Sequence, residues 1–216
     1  MCYFIRTWGC SSVGRALEWH SRGRRFDPDQ LHHEKFSMKK TKKQIAEIAK
    51  NIKLLILDVD GVLTDGSIIL DNKGNEFKAF HVRDGHGIRM LIRAGIHVAI
   101  ITGRRSKVVE RRAKELGIAE VYQKCYNKIE AYNRIKSKFS LRDNEIAFIG
   151  DDIVDLPLLK RVGLSFAVAD SPEEVKSHAS AVTKNRGGRA AAREVTDIIL
   201  KAKGLWNKVI DGYLKT

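Results

Sequence analysis

The chain has 216 residues, 43% of them hydrophobic and 31% charged, with a formal net charge of +14 at pH 7, a composition that suits one globular domain with its own core. No apolar run reaches the roughly 20 residues of a membrane-spanning helix, and the first residues lack a secretory pattern, so we expect a soluble, cytoplasmic protein without membrane contact. Residues 1–43 hold ten Lys or Arg and four Asp or Glu, so much of the charge lies in one segment, and we expect a basic surface for anionic small molecules, not nucleic acid binding.

Residues 1–37 differ from the rest of the chain, because they show no sustained period of 2 or 3.6 residues. Two segments, SSVGRA at 11–16 and RRFDP at 24–28, resemble the D-arm and T-loop sequences of a transfer-RNA gene read as protein. We therefore expect 1–37 to be a non-native extension from an over-extended reading frame, with the true start at Met38. The alternative is a genuine, disordered basic extension.

Residues 38–216 form the predicted globular domain, which begins with a short amphipathic helix. Short apolar runs then alternate with helical segments, which is typical of βαβ units and of a parallel sheet buried on both faces. The predicted strands are Leu54–Val59, His97–Thr102, Val121–Gln123, Ile146–Gly150, Ser165–Val168 and Ala181–Thr183. The predicted helices cover about 86–94, 105–116, 128–139, 153–162, 172–178 and 189–203. The pattern predicts a Rossmann-like, doubly wound α/β domain.

One segment breaks this alternation. Residues 66–82 have two strand-like arms around a turn signal at Asp71–Gly74, which predicts a β-hairpin. The large apolar residues of its arms are Ile68, Ile69, Phe77 and Phe80. Because a lone hairpin cannot leave that much apolar surface in water, we expect it to pack against another subunit.

Two acids follow the first predicted strand, at the edge of an open parallel sheet where ligands bind. A period of two points the side chains of Asp58 and Asp60 roughly the same way, although the chain turns at Gly61. Two carboxylates this close repel each other, so they need a cation or a shared proton. Mg²⁺ suits a carboxylate site that also holds a phosphate and is the expected cofactor.

Other strands and helices of the predicted domain end or begin with polar or charged residues that suit a phosphate or a metal ion. Thr102 ends the second strand, where its hydroxyl and the following amides suit a phosphate oxygen, and Lys128 starts a helix as a point charge for phosphate. The strand at 146–150 runs into three acids, Asp151, Asp152 and Asp155. Together these features predict one site for a phosphate and a metal ion.

These residues match, in order, the four motifs of the haloacid dehalogenase superfamily of phosphatases, which the sequence resembles. The motifs are DxDGV at 58–62, TGR at 102–104, Lys128 and GDDxxD at 150–155. The resemblance implies that Asp58 is a nucleophile that forms an aspartyl-phosphate, and that Asp60 protonates the leaving alcohol and then activates water. The other catalytic residues that it implies are Thr102 and Lys128. The Mg²⁺ ligands that it implies are Asp58, the backbone carbonyl of Asp60 and Asp151. It also implies that Asp152 contacts these ligands and does not bind the ion directly.

The spacing leaves no room for a cap domain. Only 43 residues lie between Asp58 and Thr102, and the predicted hairpin takes up much of that length. The expected active site is therefore open to water unless a neighbouring subunit covers it. Over about Ile52 to Leu205, the sequence is more specifically similar to the cap-less family of 3-deoxy-D-manno-octulosonate 8-phosphate phosphatases.

This similarity implies a homotetramer whose hairpins meet at its centre, and a phosphorylated sugar acid as substrate, used in lipopolysaccharide biosynthesis. Arginine suits such a substrate, which carries a carboxylate and a phosphate. The implied substrate-binding residues are Asp60, His81, Val82, Arg83, Asp84, Gly85, Arg89, Arg104, Arg112 and Lys128. Residues 185–195 read as a flexible glycine step into a final helix, which either sends the C-terminal part to a neighbour's site or is a plain helix start.

The sequence departs from this family at His81, His86 and 123–125, where the family usually has asparagine, an aromatic residue and a glycine-rich step. These departures lie on the substrate side, so the alternative substrate is a nonulosonate 9-phosphate of the sialic-acid type. A receiver domain of a response regulator is disfavoured. In such domains the acid pair comes early in the chain, whereas here the acid cluster at 150–155 follows Thr102 and Lys128. A non-catalytic oligomeric binding protein is disfavoured by the intact catalytic acids.

Overall fold

Eight strands lie in the part of the chain that the structure, a computed structural model, describes, which is residues 39–215. They are β1 (Leu54–Leu57), β2 (Ile69–Leu70), β3 (Glu76–Phe77), β4 (His97–Ile101), β5 (Glu120–Tyr122), β6 (Ile146–Gly150), β7 (Leu164–Ala167) and β8 (Ala181–Val182). β2 and β3 form an antiparallel hairpin, and the other six form one sheet in the order β5-β4-β1-β6-β7-β8. Every pairing in that sheet is parallel, which confirms the predicted α/β fold. The predicted extension at 1–37 lies outside the described residues and stays a prediction.

Eight α-helices accompany the strands within the same described range. They are α1 (Lys42–Ala49), α2 (Val82–Arg93), α3 (Lys107–Leu116), α4 (Lys128–Lys138), α5 (Leu156–Arg161), α6 (Glu173–His178), α7 (Ala191–Ala202) and α8 (Trp206–Leu214). Helix α8 was not expected from the sequence; none of its residues is fully buried. None of the described helices has both the length and the apolar character of a membrane span.

Strand β1 lies at the centre of the sheet and is buried on both faces. Because alternate side chains point to opposite faces, Leu55 and Leu57 pack with α2 and α7, while Leu54 and Ile56 pack with α4 and α5. The uninterrupted apolar run LLIL is therefore what a parallel strand covered by helices on both sides requires.

Helix α2 begins four residues earlier than predicted. The His81 ring is its N-cap and accepts a hydrogen bond from the Arg83 N–H at 3.3 Å, which satisfies one of the free backbone donors of the first turn. Val82, which was predicted to be the last residue of the hairpin, is therefore the first residue of the helix, and the VRDG segment lies in its first turn.

The hairpin between β1 and α2 is present but shorter than the predicted span of 66–82. Ile69 pairs with Phe77 and Leu70 pairs with Glu76. The Asp71 carboxylate closes the turn by accepting hydrogen bonds from the N–H groups two and four residues later, at 2.9 and 2.7 Å. This local bonding explains why the turn signal in the sequence was reliable.

The hairpin exposes an apolar surface. Its exposed large apolar side chains, which we call the hairpin face, are Ile68, Ile69, Leu70 and Phe77. Phe80 was predicted to be exposed with them, but it packs against the core, with the Arg112 guanidinium 5.8 Å from the centre of its ring. The prediction was wrong for Phe80 because the chain has already turned toward α2 at that position.

Candidate active site

Strand order brings the motif residues to one edge of the sheet. β1 lies between β4 and β6, so Asp58, Thr102 and Asp151, which follow these strands, come to the same carboxyl edge. Lys128 reaches this edge from the start of α4, where the Asn127 side chain caps the helix by accepting a hydrogen bond from the Ile129 N–H at 3.2 Å.

Lys128 lies between two aspartates. Its ammonium is 2.9 Å from an Asp58 carboxylate oxygen and 2.6 Å from an Asp155 carboxylate oxygen, and its side chain is 3% exposed. Burial alone would lower the pKa of Lys128, but the two carboxylates outweigh it and raise that pKa. Lys128 is therefore a fixed positive charge beside Asp58.

Asp155 is a site residue whose role the sequence did not reveal. It is fully buried, and its second carboxylate oxygen accepts a hydrogen bond from the Asp151 N–H at 2.9 Å. Gly150 is needed here, because a Cβ at that position would lie 2.5 Å from the Asp155 carboxylate. The signal was the last acid of GDDxxD, which folds back onto the first through a 3₁₀ turn at Ile153–Asp155.

Three acids of the site can hold a cation. One oxygen from each of Asp58, Asp151 and Asp155 lies within 4.8 Å of the others. Burial raises the pKa of Asp58, although Lys128 opposes the rise. Burial and the charges of Asp58 and Asp155 raise the pKa of Asp151, whose buried Oδ1 has no hydrogen-bond partner among residues 39–215. An unpartnered carboxylate oxygen beside two further acids fits a divalent cation such as Mg²⁺.

Asp152 lies beside this cluster but has a different contact. Its side chain accepts a hydrogen bond from the Ile153 N–H at 2.7 Å and caps the 3₁₀ turn. Its predicted support of the metal ion, like the ligand role of the Asp60 carbonyl, stays a prediction.

Thr102 organises the turn after β4. Its hydroxyl accepts a hydrogen bond from the Arg104 N–H at 3.4 Å, and its carbonyl accepts one from the Cys125 N–H at 3.0 Å. These bonds attach the TGR turn to the segment that leads into α4. The predicted contact of Thr102 with phosphate is not tested by them.

Asp60 belongs to a network of charges that includes two residues from the hairpin segment. Its carboxylate forms ion pairs with Lys78 and, at 3.8 Å, with the Arg104 Nε. Glu76 contacts the same two cations, at 3.4 Å from the Lys78 Nζ and 3.3 Å from the Arg104 Nη2. Glu76 and Lys78 were not expected at the site, because they belong to no motif and only tertiary packing brings them there.

The loop after β1 is held from another side by two glycines of the GGR segment. The Gly188 N–H donates a hydrogen bond to the Val62 carbonyl at 2.9 Å, and a Cβ on Gly187 would lie 1.7 Å from the Gly61 carbonyl oxygen. Gly61 has a φ of +87°, and a Cβ there would lie 2.0 Å from the Asp151 carboxylate. The glycine step, which the sequence suggested to be flexible, is therefore a place of close backbone packing.

The substrate-binding residues predicted in α2 lie around its first two turns. Val82, Arg83 and Arg89 are exposed, while Gly85 packs under Arg112, since a Cβ there would lie 2.3 Å from the Arg112 Nη2. Within residues 39–215, no hydrogen bond or ion pair joins this group to the acids of the cation site. Their contacts with a substrate stay predictions.

Asp84 points into the protein and not toward solvent. Its buried carboxylate accepts a hydrogen bond from the Arg193 N–H at 2.7 Å, at the start of α7. Burial raises the pKa of Asp84, although this hydrogen bond opposes the rise. The contact attaches the VRDG segment to α7, so Asp84 has a structural contact besides its predicted role.

The chain is similar to known proteins over most of the described residues. A sequence model of the haloacid dehalogenase-like hydrolases matches residues 117–193. The chain is 50% identical over 156 residues to the 3-deoxy-D-manno-octulosonate 8-phosphate phosphatase of Escherichia coli (strain K12), which covers 72% of this chain and 83% of that protein. The crystal structure of the phosphatase of the same name from Yersinia pestis is 49% identical, with a TM-score of 0.74 over 75% of this chain and 88% of that one. The Moraxella catarrhalis phosphatase of that name, solved in complex with magnesium, phosphate and KDO, is 40% identical, with a TM-score of 0.78 over 79% of this chain and 98% of that one.

The parallel fold and the acids at its carboxyl edge are those of a haloacid dehalogenase-like hydrolase. In the alignment with the Escherichia coli protein, 50% of the residues are identical, and the alignment spans 83% of that protein's length. The chain therefore belongs to the family of 3-deoxy-D-manno-octulosonate 8-phosphate phosphatases.

Mg²⁺ should stabilise the protein more at pH 8 than at pH 5. Because the folded protein raises the pKa values of Asp58 and Asp151, their contribution to stability is present below the ordinary aspartate pKa of about 4 and is lost as pH rises through the raised values. A bound cation compensates the charges that then form. The measurement is the Tm with and without Mg²⁺ at both pH values.

Asp151→Asn is the control for this measurement. It should remove most of the Mg²⁺-dependent gain and should raise the Tm of the metal-free protein at pH 8, because one buried, unpaired charge is gone. An equal gain at pH 5 and pH 8 in the wild type would contradict the assignment of the cation site.

Gly187→Ala should weaken both the fold and the cation site. The added methyl group would overlap the Gly61 carbonyl, so we expect the free energy of unfolding to fall by about 1–3 kcal/mol and the Kd for Mg²⁺ to rise. Chemical denaturation and calorimetric titration measure the two effects. Gly212→Ala is the matched control, because a Cβ there meets nothing within 4 Å; equal behaviour of the two variants would contradict the close packing at Gly187.

Proposed function

We propose that this chain is a Mg²⁺-dependent phosphatase that hydrolyses 3-deoxy-D-manno-octulosonate 8-phosphate to the free sugar acid and phosphate. The observation that carries the proposal is the Lys128 ammonium, 2.9 Å from Asp58 and 2.6 Å from Asp155. A fixed cation beside an aspartate nucleophile suits phosphoryl transfer, because it neutralises the group that is transferred. The names of the relatives support this choice of substrate.

In the first step, a carboxylate oxygen of Asp58 forms a bond to phosphorus while the bond between phosphorus and the ester oxygen breaks. Asp60, as a carboxylic acid, gives its proton to that ester oxygen, so the sugar acid leaves as an alcohol. Lys128 stabilises the charge on the phosphoryl oxygens. The product of this step is an aspartyl-phosphate at Asp58.

In the second step, a water molecule attacks the phosphorus of the aspartyl-phosphate. The Asp60 carboxylate takes a proton from that water while the bond between phosphorus and the Asp58 oxygen breaks. Phosphate leaves, Asp58 is again a carboxylate and Asp60 is again an acid. Two modest barriers thus replace one high barrier.

Asp58, Asp151 and the Asp60 carbonyl would hold the Mg²⁺ ion. When bound, it supplies positive charge that neutralises the phosphate. Asp155 supports this site through its contacts with the Lys128 ammonium and the Asp151 N–H.

Arginines around the site suit the carboxylate and the phosphate of the substrate. We place the sugar acid near Arg104, because its guanidinium lies 3.8 Å from Asp60, the group that must reach the ester oxygen. Because His81 and His86 depart from the residues usual in the family, a nonulosonate 9-phosphate is the second candidate substrate. In this proposal the protein works in the cytoplasm and supplies an acidic sugar for lipopolysaccharide.

The wild type should release phosphate from the eight-carbon ester in preference to the nine-carbon ester, in the presence of Mg²⁺. Asp58→Asn should lower kcat by more than about 10³-fold, because the nucleophile is lost. Asp211→Asn, which makes the same change at an exposed site in α8, is the control and should keep wild-type rates.

Preference for the nine-carbon ester would keep this mechanism and change the substrate. No release from either ester by folded, Mg²⁺-bound protein would contradict the phosphatase proposal and favour the binding-protein alternative.

We further infer that the chain assembles as a homotetramer through the hairpin face. Four large apolar side chains, one directly before β2 and three on the two-residue strands, are exposed on this hairpin, and that much apolar surface favours burial against another subunit. The same hairpin segment supplies Glu76 and Lys78 to the network around Asp60. Contact between hairpins would therefore take place beside the active sites.

Leu70→Glu should dissociate the tetramer, because it places a charge in an apolar interface; we expect subunit affinity to fall by at least about 10²-fold. Sedimentation velocity measures the change. Leu214→Glu, at an exposed apolar position in α8, is the control and should leave the assembly intact. A monomeric wild type would contradict this inference.

A further inference from the structure

Lys78 has an unusual position for a residue of the hairpin segment. Its side chain is 1% exposed, although Phe77 beside it is exposed. A buried ammonium is stable only when carboxylates pair with it. Its two partners are Asp60 and Glu76, with the Glu76 Oε1 at 3.4 Å.

Glu76 is the second carboxylate that contacts the Lys78 ammonium. Its carboxylate accepts hydrogen bonds from the Ser106 hydroxyl and, at 3.3 Å, from the Arg104 Nη2. Ser106 is also the N-cap of α3. Although burial opposes it, these contacts and the Lys78 charge keep the pKa of Glu76 below its ordinary value. Lys78 is thus fixed through Glu76 to the main body of the domain.

Asp60 is held on one side and open on the other. Its side chain is 23% exposed, and its covered part faces Lys78 and Arg104. An aspartate in a loop has several accessible rotamers, and a buried cation with a fixed counter-charge favours the one that faces it. A group that transfers a proton must lie within hydrogen-bond distance of the receiving oxygen. The orientation of Asp60 therefore matters directly for the reaction.

We propose that Lys78 is a positioning residue, which orients the Asp60 carboxyl group toward the ester oxygen. This inference rests on the proposed phosphatase function. Lys78 neither gives nor takes a proton: the proton passes from Asp60 to the ester oxygen while the phosphorus–oxygen bond breaks and the bond from Asp58 to phosphorus forms. Because Lys78 follows β3, the placement of the hairpin sets the orientation of the acid.

The test compares two esters in the variant Lys78→Met, which removes the charge and keeps a long, apolar stem. The leaving alkoxide of 3-deoxy-D-manno-octulosonate 8-phosphate needs a proton, whereas the nitrophenolate of p-nitrophenyl phosphate leaves without one. For the sugar ester, kcat/KM should fall about 10²-fold, the size of effect that a small misplacement of a catalytic group produces. For the aryl ester, kcat/KM should change by less than about threefold, because its first step does not depend on the acid.

Two further variants accompany this comparison. Lys73→Met removes an exposed lysine from the turn of the same hairpin and should leave both values of kcat/KM unchanged. Glu76→Gln removes the counter-charge of Lys78 and should lower kcat/KM for the sugar ester more than for the aryl ester, by less than Lys78→Met does. Tm and sedimentation of each variant show whether fold and assembly are intact.

Equal losses for the two esters in a folded Lys78→Met protein, or no loss for either, would overturn the proposal, because a merely structural lysine does not distinguish leaving groups. If Lys78→Met does not fold, the ratio of the two losses in Glu76→Gln decides in the same way. A wild type that releases phosphate from neither ester overturns the proposed function itself, which is a different outcome from a wild type whose Lys78 is dispensable.

Discussion

The structure depends on keeping three carboxylates in one small space. Asp58, Asp151 and Asp155 bring oxygens within 4.8 Å of one another, where their charges repel strongly. Lys128 offsets part of this repulsion by contacting two of them. Two glycines make room for these carboxylates. A Cβ at Gly61 would overlap the carboxylate of Asp151, and one at Gly150 would overlap that of Asp155. The remaining negative charge is what a divalent cation requires.

The hairpin segment carries both exposed apolar side chains and charged side chains that contact the candidate active site. Its strands present the apolar hairpin face to the outside, while the residues at 76 and 78 turn charged groups inward to Asp60 and Arg104. In the proposed tetramer, these two sides make assembly and acid–base chemistry depend on the same short segment. In that proposed assembly, neighbouring subunits would supply cover and order to an active site that is otherwise open to water.

Most of the fold was predictable because it follows from local patterns. The apolar runs of β1, β4 and β6 and the helices between them indicate a parallel sheet, and the sheet alone explains why Asp58, Thr102 and Asp151 meet. The start of α2 was not predicted, because a histidine N-cap is a weak signal. The roles of Asp155, Lys78 and Gly187 were missed for a different reason. Each depends on a contact with a residue on another element or across a tight turn, which sequence periodicity does not record.

The close packing of Gly187 and Gly188 on the loop after β1 has a consequence for biosynthesis. Asp58 and the loop after β1 leave the ribosome early, but the backbone that packs on that loop, at Gly187 and Gly188, is synthesised more than 100 residues later. Domains that depend on such distant contacts acquire their final structure only when most of the chain is available. A nascent or truncated chain that ends before the GGR segment would carry the aspartates without the ordered loop that uses them. Order in the loop after β1 is thereby tied to synthesis of the chain through the GGR segment.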